Sequence, residues 1–139
     1  MPDLRAHGDS ASPHDSACYP PGILARDLSE LVARLGLDDF DLGGFSLGAR
    51  TVVEAVGEGL RPGKAVLAGV GLEGLKGWER RKRFFLEAIA AFETSSRGDP
   101  HWLAIQFMKT MKVDRVAAAH LLRSSFPAPD EWLDAFTMP

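Results

Sequence analysis

This 139-residue chain has only one cysteine, no long apolar run and no large excess of either charge. The single cysteine, Cys18, excludes an internal disulfide bond and favours a reducing, cytoplasmic compartment. No apolar stretch approaches the roughly 20 residues of a membrane-spanning helix, and no signal-peptide pattern opens the chain, so we expect no membrane contact. With 16 basic and 19 acidic residues, the composition also argues against a nucleic-acid partner.

What is present is typical of a globular domain. The chain is long enough to bury a sizeable core, and its hydrophobic content of 45% and charged content of 25% are ordinary. It contains no internal repeat and no low-complexity tract. Composition therefore identifies no function, and any functional signal has to come from local sequence motifs.

The most informative stretch covers residues 39–56. It contains Gly44-Phe45-Ser46-Leu47-Gly48 between an alternating segment, residues 39–42, that predicts a β-strand and an apolar periodicity that predicts a helix ending near Gly57. Gly-x-Ser-x-Gly at a strand-to-helix turn is the nucleophile-elbow pattern, in which strain exposes the serine hydroxyl. A plain glycine turn would explain the glycines but not the serine between them.

Each elbow residue has a predicted role. Ser46 is the predicted nucleophile, and the N–H of Leu47, at the positive end of the helix, is the predicted first donor to an oxyanion. Gly44 and Gly48 lack a Cβ and would allow the strand and the helix to approach closely.

The flanking segments predict an α/β fold with few parallel strands. A helix with an apolar stripe is expected between Pro21 and Gly36, and residues 64–70 form a continuous apolar run typical of a buried parallel strand. Beyond Gly77 we predict only helices: residues 78–92, residues 102–111, a helix capped by Asp114 and a short one opened by Pro129 and Asp130.

The elbow together with residues 3–10, Asp-Leu-Arg-Ala-His-Gly-Asp-Ser, resembles the α/β-hydrolase superfamily, in particular its esterase-like members with a helical cap. The loop differs from the family pattern only by Ala6 in place of a glycine. The resemblance implies a partial hydrolase core in residues 1–76 and an α-helical cap in residues 77–139. It also implies a serine hydrolase that acts on an ester or related acyl substrate without a cofactor.

The same resemblance implies that the chain is the central fragment of a hydrolase. The second oxyanion donor of the family would lie before Met1, and the acid and the histidine of the catalytic triad would follow Pro139. We therefore expect the isolated chain to be inactive, because a serine hydroxyl without a base is a poor nucleophile. The chain's own histidines, His7, His14, His101 and His120, are expected to serve the loop, the surface or the cap.

Two alternatives compete with this interpretation. The chain could be a non-catalytic remnant or interaction fragment that self-associates, or pairs with another chain, through exposed sheet edges. A nucleotide-binding unit is a weaker alternative, since the glycines do not fit Gly-x-Gly-x-x-Gly. The pairs His14-Asp15 and Asp38-Asp39 lack the spacing of metal ligands, so we predict no metal site.

Overall fold

A computed structural model describes every residue from Met1 to Pro139. It contains two β-strands, seven α-helices and one short 3-10 helix. In chain order they are the 3-10 helix Ser16–Cys18, α1 Ile23–Leu35, β1 Leu42–Phe45, α2 Leu47–Gly57, β2 Ala65–Ala68, α3 Leu72–Lys76, α4 Trp78–Ala90, α5 Trp102–Thr110, α6 Arg115–Ser124 and α7 Glu131–Asp134. None of the helices combines the length and the apolar character needed to cross a bilayer.

The chain forms two compact units. Met1–Pro21 and Glu79–Phe126 make up one, here called the helical unit. Gly22–Trp78 and Pro127–Pro139 make up the other, here called the α/β unit. The predicted domains, a hydrolase core in residues 1–76 and a cap in residues 77–139, stay a prediction.

The α/β unit contains a parallel two-stranded sheet. Strand β1 pairs with β2 so that Leu42 lies opposite Ala65 and Phe45 opposite Ala68. Parallel strands need a crossover connection, and α2 supplies it. The predicted α/β class, with a strand, a helix and a second strand in succession, is confirmed.

The first strand begins later than predicted. Alternation placed it at residues 39–42, but the ladder runs over Leu42–Phe45 and includes two glycines. Its position is set by the partner strand, because the Leu42 N–H donates to the carbonyl of Lys64 at 2.9 Å and the Ser46 N–H to that of Ala68 at 2.8 Å. A pairing between segments more than 20 residues apart thus overrides the local pattern.

Helix α2 is the centre of the α/β unit. Its residues from Ala49 to Val56 are all buried. Val53 packs in a cluster with Leu75 and Ala128, and at the end of the helix Gly57 lies against the ring of Trp132. A Cβ on Gly57 would overlap that ring, so the missing side chain allows α7 to approach α2.

Helix ends follow the local signals in the sequence. Gly36 adopts a left-handed φ of 62° and its N–H returns to the carbonyls of Val32 and Ala33, which ends α1 as predicted. Asp114 caps α6 by accepting from the N–H groups of Val116 and Ala117, also as predicted. Helix α3 was not predicted, since five residues with an internal glycine show no helical periodicity.

The helical unit has a core of its own. Ala88 of α4 and Ile105 and Met108 of α5 are at most 5% exposed and form its centre. Partly buried apolar side chains pack around this cluster: Ile89, Ala91, Phe92, Ala104 and Val113. The predicted helices over residues 78–92 and 102–111 therefore exist, each with its inner face buried.

Candidate active site

Ser46 lies between the last residue of β1 and the first residue of α2. Its backbone has φ 52° and ψ −109°, a conformation that non-glycine residues rarely adopt. Such geometry costs on the order of 1–3 kcal/mol and persists only where surrounding structure imposes it. Here the strand ladder holds the Ser46 N–H, and the Ser46 carbonyl accepts from the N–H of Arg50 at 3.1 Å.

The hydroxyl of Ser46 is not used to cap the helix. Serine at this position usually accepts a hydrogen bond from the first turn, but Ser46 makes no such bond. The residue is partly exposed. The next residue, Leu47, opens α2, so its N–H belongs to the positive end of an 11-residue helix. The turn thus places a partly exposed serine at the N-terminus of a helix, the position that the nucleophile-elbow pattern gives its serine.

The two elbow glycines differ in what surrounds them. A Cβ on Gly44 would overlap the backbone of Gly48 and Ala49, whereas a Cβ on Gly48 would meet no atom within 4 Å. Close approach of strand and helix therefore takes place at Gly44. The spacing of the motif alone could not separate the two positions.

Two buried residues of opposite charge lie one turn apart within α2. Arg50 is 4% exposed with its guanidinium 4.4 Å from the centre of the Trp78 ring, and Glu54 one turn later is 7% exposed. Burial raises the pKa of Glu54, Arg50 opposes that rise and Glu58 adds to it. Burial likewise lowers the pKa of Arg50. Sequence reasoning missed this pair, although two charges four residues apart on an otherwise apolar helix were a usable signal.

All four histidines belong to the helical unit, whereas Ser46 belongs to the α/β unit. Each imidazole has a partner within its own unit. His7 donates to the carbonyl of Arg5 at 3.0 Å. His14 donates to the carboxylate of Asp114 at 2.8 Å, and His120 to the carbonyl of His14 at 3.0 Å. The Nε2 of His101 lies 3.5 Å from a carboxylate oxygen of Glu87.

The loop of residues 3–10 closes on itself. The N–H of Asp9 donates to the carboxylate of Asp3 at 3.0 Å, and the hydroxyl of Ser10 donates to the Asp3 carbonyl at 2.7 Å. Ala6, at the position of the family's glycine, is buried and has φ 67°. The left-handed backbone that a glycine would provide is therefore present with an alanine in its place.

Metal ligands do not cluster anywhere in the structure. No group of three or more His, Cys, Asp or Glu side chains is arranged to hold an ion. Of the residues considered from the sequence, His14 pairs with Asp114, and Asp15 accepts from the N–H of Ala17. Cys18 is partly exposed, and its carbonyl accepts from Arg5.

A parallel strand, a strained serine and a helix follow one another directly, which is the backbone arrangement of the nucleophile-elbow pattern. The sequence profile of the alpha/beta hydrolase family matches residues 1–139. The chain therefore belongs to the α/β-hydrolase family, which confirms the resemblance seen in the elbow and the loop.

One solved structure supports the same fold. It is described as "Novel epoxide hydrolases belonging to the alpha/beta hydrolases superfamily in metagenomes from hot environments". The two chains share 22% identity with a TM-score of 0.51, and the match covers 100% of this chain and 59% of the other. The chain thus spans less than two thirds of that hydrolase, in agreement with a partial α/β-hydrolase fold. None of the curated proteins searched matches the sequence.

Proposed function

We propose that Ser46 is the nucleophile of a serine hydrolase that acts on an ester or related acyl substrate. The observation that carries the proposal is the strained, partly exposed Ser46 at the junction of β1 and α2, with its side chain free of the usual capping bond. Its oxygen would give up its proton to a base, attack the acyl carbonyl and expel the alcohol as the ester C–O bond breaks, which leaves an acyl-enzyme. The Leu47 N–H would stabilise the oxyanion, and water would then release the acid without a cofactor.

The chemistry of serine favours an acyl substrate over an epoxide. The similar solved structure is described as an epoxide hydrolase, but its 22% identity supports the fold alone. A serine oxygen that opened an epoxide would form an ether, which has no carbonyl for water to attack. Attack on an ester instead gives an acyl-enzyme that water can hydrolyse. Ser46 at the elbow is therefore matched to acyl transfer.

The base for Ser46 has to come from outside the α/β unit. Residues 22–78 and 127–139 contain no histidine. The histidines of the helical unit are engaged with Asp114, Glu87 and backbone carbonyls. We therefore propose that the acid and the histidine are supplied by polypeptide beyond these 139 residues, and that the chain alone is inactive or nearly so. We also propose a reducing, cytoplasmic location, because the chain has a single cysteine.

Labelling with a fluorophosphonate probe tests the nucleophile. The parent chain, Ser46→Ala and Ser29→Ala would be treated together and the labelled peptide identified by mass spectrometry. Ser29 is a matched control, because it is a partly exposed serine on α1 in the same unit. We expect any label on the parent and on Ser29→Ala to sit at residue 46 and to disappear in Ser46→Ala. Equal labelling of all three proteins would contradict the role of Ser46.

A second candidate function is that of a non-catalytic fragment which pairs with another chain through its sheet. Specific exposed residues favour it: Phe45 is 75% and Val66 64% exposed, and the register places both on one face of the sheet. With only two strands, the outer edge of β1 has no neighbouring strand. On β2 the Ala65 N–H donates to the carbonyl of Pro139 at 2.9 Å. Open edges and exposed apolar strand residues favour added strands.

Sedimentation velocity tests this candidate. If the sheet mediates pairing, the parent should self-associate as its concentration rises, and Val66→Lys should remain monomeric because charge on an open strand blocks pairing. Leu35→Lys on α1, 61% exposed in the parent, is the control and should behave as the parent does. A chain that stays monomeric at every concentration would count against self-association, as would equal effects of the two lysines.

A further inference from the structure

A groove of about 650 Å³ runs along α6 in the helical unit and contains no elbow residue. Apolar side chains form its floor: Ile89, Val113, Val116 and Ala119. Val116 is 45% exposed, and Ala119 contributes only a methyl group, which keeps the groove open. The volume lies within the range of about 300–1,000 Å³ that is typical of small-molecule sites. The floor can therefore hold the apolar part of a small ligand.

Two arginines stand at opposite ends of this floor. Arg115 and Arg123 both line the groove, with Ala119 midway between them along α6. At 1.5 Å of rise per residue their Cα atoms are about 12 Å apart along the helix axis. Arg115 is already engaged, since it pairs with Glu93 at 2.9 Å and lies over the ring of Phe92. Arg123 is exposed and forms no ion pair, so its guanidinium is available to an anion.

The one acidic residue of the groove is already satisfied. One carboxylate oxygen of Asp114 accepts from His14 at 2.8 Å, and the other from the N–H groups of Val116 and Ala117 at 3.0 Å. These hydrogen bonds, led by that of His14, lower the pKa of Asp114, so the charge is held by partners within the protein. Arg123 is therefore the charged group of the groove that can pair with a ligand.

From this arrangement we propose that the groove binds a small amphipathic monocarboxylate. The hydrocarbon chain would lie on the floor formed by Val116, Ala119 and their neighbours, and the carboxylate would pair with Arg123. Guanidinium and carboxylate match in geometry because two parallel N–H···O bonds can form. A neutral molecule with the same chain would lose this pairing, and a cation would be repelled. The inference does not rest on the role proposed for Ser46.

Titration of the full chain with sodium octanoate, followed by ¹H–¹⁵N NMR, tests the proposal. Octanol, which has the chain without the charge, and acetate, which has the charge without the chain, serve as comparators. We expect octanoate to shift the amide resonances of residues 113–123 and to bind at least about fivefold more tightly than either comparator. Equal affinity for octanol and octanoate, or no shift at these residues, would overturn the proposal.

A pair of variants separates Arg123 from general electrostatics. Arg123→Gln should weaken octanoate binding about fivefold or more, whereas Arg97→Gln, an exposed arginine outside the groove, should leave it unchanged. Far-UV circular dichroism would establish that both variants fold. If Arg123→Gln fails to fold, salt provides the second measurement, because added salt should weaken octanoate binding and leave octanol unaffected. Equal effects of the two arginine variants, or of salt on the two ligands, would refute the site.

Discussion

The contact between β1 and α2 at Gly44 gives the sharpest prediction about the elbow. A Cβ at position 44 would lie well inside 3.0 Å of the carbonyl carbon and oxygen of Gly48 and of the N of Ala49. All three atoms are backbone, so no change of rotamer can remove the overlap. Gly44→Ala therefore forces the first turn of α2 away from the strand.

The size of the effect follows from the cost of overpacking. Extra atoms in a packed site cost about 1–3 kcal/mol, and occasionally more where the backbone has to move. Helix α2 is the most buried helix of the α/β unit, so its displacement also disturbs the cluster around Val53. We expect Gly44→Ala to lower the free energy of unfolding by about 3 kcal/mol. That is a large part of the total of about 5–15 kcal/mol of a typical domain.

Two neighbouring glycines provide matched controls. Gly43 is on the same strand, and its added Cβ would lie 3.9 Å from the Cβ of Val66, which is an ordinary contact. Gly48 is in α2 with no atom near its added Cβ, so Gly48→Ala should stabilise the helix by about 0.5–1 kcal/mol. Urea unfolding followed by circular dichroism would measure all three variants. A Gly44→Ala chain as stable as Gly43→Ala would refute the steric account of the elbow.

Three further predictions concern charges and backbone strain. Hydrogen bonding lowers the pKa of Asp114 below its usual 3.8, so its stabilising effect is full above that pH and lost as the pH falls further. Asp114→Ala should therefore lower the free energy of unfolding in urea by about 1 kcal/mol at pH 7 and by progressively less in acid. A stability difference between parent and variant that does not change with pH would contradict a role for the ionised carboxylate. Burial raises the pKa of Glu54 above 4.5, so the parent should lose stability as the pH rises past that value, whereas Glu54→Gln should lose less. Parallel pH profiles of the two proteins would contradict the cost of ionising a buried Glu54. Lys112 has a left-handed φ of 50° just after α5, so Lys112→Gly should raise the stability by about 0.5 kcal/mol. Lys109→Gly, within the helix, should lower it by about 1 kcal/mol. Thermal unfolding that ranks the two variants in the opposite order would contradict backbone strain at Lys112.

The buried pair in α2 has a consequence for the elbow. Arg50 and Glu54 occupy positions one and two turns beyond Ser46, and both are buried where apolar residues would be expected. Burial shifts both pKa values toward the neutral forms, so the attraction between the two charges does not fully offset their loss of hydration. The helix that carries the elbow is therefore not optimised for stability alone. The pH profile of Glu54→Gln measures this cost.

Features that depend on neighbours within about four residues could be predicted from the amino-acid sequence. The glycine that ends α1, the Asp114 cap of α6 and the strand-to-helix turn at Ser46 all follow from local backbone preferences and hydrogen bonds, and the structure has each of them. The elbow motif with its loop was also enough to indicate the α/β-hydrolase family, which the family comparison confirms.

Contacts between residues far apart in the chain could not be predicted in this way and became clear from the packing of the helices and strands. The first strand is Leu42–Phe45 because β2 pairs there, and Gly44 rather than Gly48 is enclosed because α2 turns back over the strand. His14 and Asp114 meet although 100 positions separate them. Such contacts depend on how helices and strands pack together, and the local preferences of residues do not include that packing.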